Sequence, residues 1–406
     1  MNRIVIVGAS AGGLATAEAL RGSGYEGGIT LIGDEPHLPY DRPPLSKRIL
    51  TGTERPSGLA LRRKEHIGAL GLDLRLGARA TGLDMAARTV RLADGAVVPY
   101  EALVVATGVR ARRLPGSGHL SGRMTGSHTL RTVEDALRLK ARLLPGRRLV
   151  IVGAGFVGAE VAAVARGLGV EVTVLESAPV PMAQAIGGQA GQLLARAHLD
   201  HGVRLRTGAA VAEILSTDGH VTGVALADGS VIPADDVLVA VGSLPNTEWL
   251  HGSGLTLDDG LVCDEFSAAA PGVYGVGDAA RWHNPLFGTT MRIEHRTNAA
   301  EQAIAVARNL LAPEPALRRP YAPVPYFWSD QYDMKAQAYG FLRGHDEAAV
   351  VEQDASRKRF LIAYRREDRL VGVLAAGVPP KTLHAWRALI AAGSPWAQAV
   401  SGAIAA

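Results

Sequence analysis

The chain has 406 residues, of which 47% are hydrophobic, and its formal net charge is +4. This length and apolar content predict two or three globular domains with sizeable cores. The single cysteine, Cys263, excludes an internal disulfide, a Cys-X-X-Cys redox pair and any metal or iron–sulfur site held by several thiolates.

The positive charge comes mostly from arginine residues scattered along the chain. No basic run with interleaved aromatic residues occurs, so a nucleic-acid partner is not expected. The charge predicts solvated surface or a patch for an acidic protein partner. No apolar run reaches the roughly 18 residues of a membrane helix, and strand-like sequence from Arg3 leaves no room for a signal peptide. We therefore expect a cytoplasmic protein.

A glycine-rich βα unit opens the chain at residues 4–13, IVIVGASAGG, and the strand 29–34, ITLIGD, follows it. Such a unit binds a dinucleotide pyrophosphate at the positive end of its helix. Ser10 replaces the usual second glycine and would place a hydroxyl near the pyrophosphate. The ribose acid is Asp34 or Glu35, and we favour Asp34. The residues predicted to line this site are Gly8, Ser10, Gly12, Gly13 and Asp34.

A proline-rich loop follows at residues 39–47, PYDRPPLSK. The pair Pro43-Pro44 excludes a regular helix here, whereas Ser46 could cap one. On the local sequence we favour an exposed surface turn. The alternative places Arg42 on a cofactor phosphate and Lys47 beside a flavin, where a cation would stabilise the negative charge of the reduced ring.

A second glycine fingerprint lies in the middle of the chain at residues 149–160, LVIVGAGFVGAE. Gly153 would make the tight turn, Gly155 would let a pyrophosphate approach the backbone, and Gly158 would let the helix pack on the strand. Glu176 ends the next strand, where it can accept hydrogen bonds from both ribose hydroxyls. No arginine follows to bind a 2′-phosphate, so we predict NADH rather than NADPH.

The two fingerprints predict two dinucleotide sites. The strands at 100–108 and 236–246 each follow a βαβ unit and end in a glycine turn. The second module is therefore inserted in the chain of the first, with crossings near residues 112–115 and 242–246. This is the arrangement of two-dinucleotide flavoproteins, in which NADH in one module reduces FAD in the other.

Several shorter elements leave their roles open. Residues 130–136 predict a turn into an amphipathic helix, with Arg131 either exposed or reaching the FAD. The short strand at 273–279 ends in Asp278, which could cap a helix or accept from a ribityl hydroxyl. Residues 292–311 predict a helix, and a proline-rich linker follows.

The region beyond the linker has no glycine fingerprint. Its runs at 360–364 and 370–374 alternate as antiparallel strands do, and residues 380–392 predict a helix. Trp328, in the aromatic start of this region, is either a core residue or lies against the flavin.

These elements predict an α/β fold with two doubly wound dinucleotide-binding domains, the second inserted in the first, and a small α+β C-terminal domain. The predicted FAD-binding domain comprises residues 1–113 and 244–322. The NADH-binding domain comprises residues 114–243, and the C-terminal domain comprises residues 323–406.

Taken together, the motifs resemble the FAD-dependent NADH:ferredoxin reductase family, which serves bacterial monooxygenases and Rieske dioxygenases. The likeness covers nearly the whole chain and implies a glutathione-reductase-like flavoprotein fold. It is carried, in chain order, by GASAGG, PYDRPPLSK, VVATGVRARRLPG, LRTVEDA, GAGFVGAE, VGSLPN, YGVGDAA, RIEHRTNAAEQ and YFWSDQYDMK.

The resemblance implies a role for particular residues of this chain. Glu160 would lie beside the nicotinamide, and Trp328 would cover the flavin; with Lys47 these form the predicted catalytic set. Arg296 and Gly242 are further predicted cofactor contacts, and Arg296 stands where many relatives have an apolar residue. The implied FAD contacts are Asp34, Arg42, Lys47, Ala80, Arg131 and Asp278.

The expected function is transfer of electrons from NADH through FAD, one at a time, to a small acidic [2Fe–2S] ferredoxin docking near Trp328. Alternatives are an NADH oxidase, a rubredoxin reductase, or an NADH-sensing flavoprotein resembling apoptosis-inducing factor. Cys263 is expected to carry no electrons, and the oligomeric state is open. The candidate docking charges, each expected first as solvated surface, are Arg62, Arg63, Lys64 and Lys335.

Overall fold

The computed structural model describes residues 1–114, 124–354 and 358–404. These residues form two compact units, each assembled from separate stretches of the chain. The first unit comprises residues 1–41, 59–110 and 244–326, and the second comprises residues 42–58, 111–243 and 327–406. The predicted three-domain division stays a prediction, and the end of its first crossing, Pro115, lies outside the described residues.

The first unit is built around a six-stranded sheet that is parallel except at one edge. Helix Ala11–Gly22 packs against helix Arg296–Leu310, and both contribute side chains to the core of this sheet. The strands in spatial order are Ala268–Ala270, Val273–Gly275, Ala102–Val105, Arg3–Val7, Gly28–Ile32 and Leu72–Arg75.

Two three-stranded sheets and a short helix, Lys64–Ala69, complete the first unit. The antiparallel sheet comprises Ala80–Asp84, Thr89–Leu92 and Val97–Pro99. The mixed sheet comprises Leu261–Cys263, Ala280–Asn284 and Thr289–Arg292. The predicted helix start at residue 292 is wrong, because Arg292 pairs with Arg281 in this mixed sheet and the helix begins only at Arg296.

The second unit contains a five-stranded parallel sheet. Val150 and Val152 in its central strand are buried in a core shared with the sheet that follows in the chain. The parallel strands in spatial order are Arg204–Arg206, Glu171–Leu175, Arg148–Val152, Asp236–Val239 and Ser127–His128. The antiparallel strands that follow are Val211–Thr217, His220–Leu226 and Val231–Pro233.

The last sheet of the second unit is five-stranded and antiparallel where its register is described. The predicted strands at 360–364 and 370–374 lie within two of its members. The helix predicted at 380–392 is observed as Pro380–Ala391, and a further helix, Trp396–Ile404, was not predicted. Its strands in spatial order are Tyr326–Gln331, Met334–Gly340, Arg369–Ala376, Arg359–Arg366 and Glu347–Asp354. The helices of the second unit are Arg48–Thr51, Val133–Lys140, Phe156–Gly167, Ala183–Ile186, Gly188–Asp200, Pro380–Ala391 and Trp396–Ile404.

The chain passes from one unit to the other after residues 41, 58, 110, 243 and 326. The third and fourth of these crossings fall in two short strands, Val109–Ala111 and Ser243–Pro245. No helix in the described ranges is long and apolar enough to cross a membrane.

Candidate dinucleotide sites

The N-terminal fingerprint forms a tight turn between strand Arg3–Val7 and helix Ala11–Gly22. Gly8 has a φ of +121°, and a Cβ at this position would overlap the Ala106 carbonyl oxygen. A Cβ on Gly13 would overlap the carbonyl oxygen of Gly8. Only glycine fits at both positions, so strand, turn and helix are held in contact. Ser10 is the extended residue that precedes the helix.

The central fingerprint repeats this construction between strand Arg148–Val152 and helix Phe156–Gly167. Gly153 has a φ of +100°, and its Cβ would lie 2.5 Å from the Ala240 carbonyl oxygen. A Cβ on Gly158 would overlap the carbonyl oxygen of Gly153. At Gly155, by contrast, no atom of the described residues beyond its chain neighbours lies within 4 Å of a Cβ. The helix start is therefore open to an incoming phosphate, which fits a dinucleotide.

The two acids predicted to bind ribose are held by different partners. Glu176 accepts hydrogen bonds from the backbone N–H groups of Ala154, at 3.0 Å, and Ala178, at 2.9 Å. Asp34 accepts from Nε and Nη2 of Arg79, at 3.0 and 2.8 Å. The Asp34 hydrogen bond raises the pKa of the Arg79 guanidinium. Each carboxylate oxygen has two lone pairs, so both acids retain capacity for ribose hydroxyls.

Glu35, the alternative acid, accepts from the Tyr40 hydroxyl at 2.5 Å. Asp34 and Glu35 therefore differ in their neighbours: one pairs with a cation and the other with a phenol. The choice of Asp34 as the ribose acid stays a prediction.

The proline-rich loop supplies a buried ion pair. Lys47 Nζ lies 2.6 Å from Glu160 Oε2, and the side chains are only 18% and 6% exposed. Ser46 Oγ donates to the same oxygen at 2.6 Å. The preference for an exposed surface turn was wrong for this part of the loop, because Pro44, Leu45 and Ser46 are buried. Ser46 caps no helix; it binds a carboxylate 114 residues away.

The other oxygen of Glu160 is bound from the last antiparallel sheet. Ser329 Oγ donates to Glu160 Oε1 at 2.8 Å, and Ser329 has no exposed surface. Trp328, next to it in strand Tyr326–Gln331, is partly exposed. Ser329 was missed in the sequence because a lone serine in an aromatic strand start carries no signal of its partner.

The remaining predicted residues lie at loops and element ends. Arg42 Nη1 donates to the Arg131 carbonyl oxygen at 2.8 Å. Ala80 begins strand Ala80–Asp84, and Asp278 lies in the 3₁₀ turn Gly277–Ala279 rather than capping a helix. Gly242 has a φ of +95° and accepts from the Arg112 N–H. The assignment of these residues to cofactor binding stays a prediction.

Arg296, the departure from the family pattern, begins helix Arg296–Leu310. Its Nε donates to Asp41 Oδ1 at 2.6 Å, so a carboxylate offsets its charge. A cation at a helix start would otherwise oppose the helix dipole. Asp41 therefore explains how the chain tolerates arginine at this position.

Cys263 and the metal-binding side chains bear on whether the protein itself carries a second redox centre. Cys263 is buried in strand Leu261–Cys263, and burial raises the pKa of its thiol to about 12. Within the described ranges, no group of three or more histidine, cysteine, aspartate or glutamate side chains is placed to hold a metal ion.

The sequence matches two protein-family models. Residues 2–303 match the pyridine nucleotide-disulphide oxidoreductase model, and residues 326–403 match the reductase C-terminal model. The chain is 37% identical to the rhodocoxin reductase of Rhodococcus erythropolis over 377 residues, covering 93% of this chain and 86% of that protein. It is 36% identical to a putidaredoxin reductase of Pseudomonas putida over 375 residues, covering 92% and 88% of the two chains.

The fold also matches a solved structure, the crystal structure of the covalent putidaredoxin reductase–putidaredoxin complex. The match has a TM-score of 0.92 and 32% sequence identity, and it covers 100% of this chain and 98% of that chain. The predicted α/β fold and the predicted family are confirmed. The protein is an electron-transfer flavoprotein and an oxidoreductase that uses FAD and NADH. It belongs to the pyridine nucleotide-disulphide oxidoreductase family, within the FAD-dependent NADH:ferredoxin reductases.

Proposed function

We propose that the protein passes electrons from NADH to a small acidic [2Fe–2S] ferredoxin that serves a monooxygenase or a Rieske dioxygenase. One observation carries this proposal: the chain has a single cysteine, which is buried with a thiol pKa of about 12. A disulfide relay needs two cysteines, one of which must ionise to the thiolate. Electrons must therefore leave for an external acceptor without passing through protein thiols, as the full-length similarity to ferredoxin reductases supports.

Bound FAD supplies the required chemistry, because it accepts two electrons as a hydride and releases them singly. We assign Gly8, Ser10 and Gly13 to its pyrophosphate, and Gly153, Gly155 and Gly158 to that of NADH. Glu176 excludes a 2′-phosphate by charge repulsion. Glu160 binds and orients the nicotinamide. Lys47 supplies the positive charge that stabilises a reduced flavin.

The acceptor surface is proposed near Trp328. Lys335 is exposed on strand Met334–Gly340, which neighbours the strand that carries Trp328. Arg63 and Lys64 are also exposed. Arg62 is the weakest of the four candidates, because its guanidinium already pairs with Glu18 at 2.6 Å.

A cytoplasmic location also stays a prediction.

The decisive assay is NADH-driven reduction of a panel of acidic [2Fe–2S] ferredoxins, with a rubredoxin, oxygen and ferricyanide alongside. We expect one ferredoxin to be reduced well above the oxygen rate. Its rate should fall with salt, because the Debye length shrinks from about 10 Å at 0.1 M to about 3 Å at 1 M. Oxygen consuming NADH as fast as every ferredoxin would identify an oxidase; a faster rubredoxin rate would identify a rubredoxin reductase.

The docking proposal has its own test. Lys335→Glu should lower the ferredoxin rate several-fold at low salt and leave ferricyanide reduction unchanged, since rim charges act mainly on association. Lys381→Glu is a matched control, because Lys381 is exposed on helix Pro380–Ala391, away from the Trp328 strand in sequence. Equal losses in the two variants would show a general charge effect instead of a docking site.

A further inference from the structure

A line of buried polar side chains extends from Glu160 through the second unit. Ser329 Oγ lies 2.8 Å from Glu160 Oε1, and Gln331 Nε2 lies 3.1 Å from Ser329 Oγ. Gln331 Oε1 lies 2.9 Å from His198 Nε2, and His198 Nδ1 lies 3.0 Å from the Tyr332 hydroxyl. Three elements supply these residues: helix Phe156–Gly167, helix Gly188–Asp200 and the strand with its turn at 326–332.

The carboxylate determines the direction of every hydrogen bond in this line. Ionised Glu160 can only accept, so Ser329 must direct its single proton to it. The neighbour on the other side of Ser329 must then be a donor, which places the Gln331 amide nitrogen there and its oxygen toward His198. An amide oxygen only accepts, so His198 carries its proton on Nε2. All the donors therefore point toward Glu160.

Neutral His198 fits this direction of hydrogen bonds, because it can donate from Nε2 and accept at Nδ1. It is 6% exposed, and desolvation by burial lowers its pKa, although the Gln331 hydrogen bond acts in the opposite direction. Neutral His198 with a proton on Nε2 has an acceptor at Nδ1, and the Tyr332 hydroxyl can donate to it. Tyr332 also stacks on His201 with ring centroids 3.7 Å apart.

Burying these groups has a cost that packing alone does not explain. Ser329 and Gln331 are fully buried. His198 also lines a small cavity whose other residues, including Val174, Met182 and Leu205, are apolar. A leucine would suit such surroundings, and buried polar groups are costly unless every one is satisfied. The line of donors therefore points to a requirement at its end, the Glu160 carboxylate.

The count of donors on Glu160 indicates what that requirement is. A carboxylate has about four acceptor positions. Among the described residues, Lys47 and Ser46 bind Oε2, and Ser329 binds Oε1. One acceptor position on the Glu160 carboxylate therefore remains for a donor of the ligand. The direction in which this position faces depends on Ser329, which holds Oε1 in place.

We propose that Gln331 and His198 are positioning residues, which act through Ser329 to orient Glu160 toward the amide group of nicotinamide. This inference rests on the proposed role of Glu160 at the nicotinamide. It predicts that removing the donor of Gln331 or His198 lowers the affinity for NADH and the rate of hydride transfer, although neither side chain contacts the ligand.

The test uses the FAD-loaded protein with three single variants: His198→Leu, Ser329→Ala and His198→Gln. We measure NAD⁺ binding by calorimetry and the rate of flavin reduction by NADH in stopped flow, after checking FAD content and melting temperature. His198→Leu and Ser329→Ala should each weaken NAD⁺ binding and slow reduction by about tenfold, the upper part of the range for the net contribution of one hydrogen bond. His198→Gln keeps an N–H donor and should restore most of both values.

A double-variant cycle with Glu160→Ala decides whether the line acts through Glu160. If it does, His198→Leu should have no further effect in the Glu160→Ala background. The same tenfold loss in both backgrounds, or no rescue by His198→Gln, would overturn the inference. If His198→Leu does not fold, Gln331→Leu in the same cycle gives the same decision, because it removes the donor to Ser329 and leaves Ser329 itself in place. Wild-type rates in Glu160→Ala alone would instead refute the proposed role of Glu160.

Discussion

The two glycine fingerprints share a backbone design but differ in what surrounds it. In both, one glycine turns beneath the carbonyl of the residue that follows a neighbouring strand, and a second lets the helix pack on that turn. The residue immediately before the second glycine is packed differently in the two sites. A Cβ on Gly12 would lie 3.0 Å from Val276 Cγ1, whereas the corresponding Val157 is 42% exposed. The side of the first helix at Gly12 is therefore packed against the chain, whereas the corresponding side of the second helix at Val157 is open.

This difference matches the traffic expected at each site. A cofactor that stays bound through many turnovers is compatible with a first helix turn that is packed against its own chain. A cosubstrate that enters and leaves in each turnover needs an open one. The acids also differ: Asp34 is held by a side chain, and Glu176 is held by backbone amides, one in the glycine turn at Ala154 and one in its own loop at Ala178. The turn is therefore common to both sites, while the packing around it differs.

The largest expected effect comes from adding a methyl group to either helix-packing glycine. Gly13→Ala should yield protein without FAD, because its Cβ would overlap the Gly8 carbonyl. Gly158→Ala should keep FAD but bind NADH about tenfold to a hundredfold more weakly, since overpacking costs about 1–3 kcal/mol. Visible absorbance per protein and stopped-flow reduction measure the two outcomes. Gly68→Ala, at an exposed helix position, is the control; loss of FAD from Gly158→Ala would contradict the separation of the sites.

The next effect concerns the acid of the open site. Glu176→Ala should narrow the preference for NADH over NADPH by about tenfold to a hundredfold, because it removes hydrogen bonds to a carboxylate and the repulsion of a 2′-phosphate. The measurement is flavin reduction over a range of both cofactors. Asp34→Ala serves as the matched variant and should weaken FAD binding with the nicotinamide preference unchanged. A preference that persists in Glu176→Ala would remove this residue from the ribose site.

A smaller effect is expected at the partner of the first acid. The Arg79 and Asp34 side chains are 68% and 56% exposed. Surface ion pairs contribute less than about 1 kcal/mol, so Arg79→Ala should lower the free energy of unfolding only slightly and leave FAD bound. Chemical denaturation and FAD release measure both quantities. Loss of FAD from Arg79→Ala but not from Arg79→Lys would show that this cation itself binds the cofactor.

The smallest effect is expected at Cys263. A thiol with a pKa of about 12 remains protonated near neutral pH, and thiolate would accumulate only as the pH rises toward that value. Cys263→Ser should therefore keep the NADH-driven rate and its pH profile. Steady-state turnover across the neutral range checks this. A lost rate with FAD content and folding intact would assign redox chemistry to the thiol.

The sequence alone determined the two dinucleotide modules. Their information is local, because the turn glycines, the following helix and the next strand lie within about 30 residues of chain in a βαβ unit. The single cysteine excluded dithiol chemistry by composition, since a disulfide needs two thiols. The family motifs predicted that Lys47 and Glu160 act together, and the structure pairs them, although the local sequence of the loop favoured an exposed turn.

Only the tertiary structure decided which side chains meet. Glu160 is bound by Lys47, 113 residues earlier, and by Ser329, 169 residues later. Arg79 reaches Asp34 across 45 residues, and Arg296 reaches Asp41 across 255. Local patterns set the backbone of each element, but a hydrogen-bond partner this distant is specified only when the packed sheets and helices bring the two positions together. For that reason the buried carboxylate and its line of donors could be found only in the folded chain.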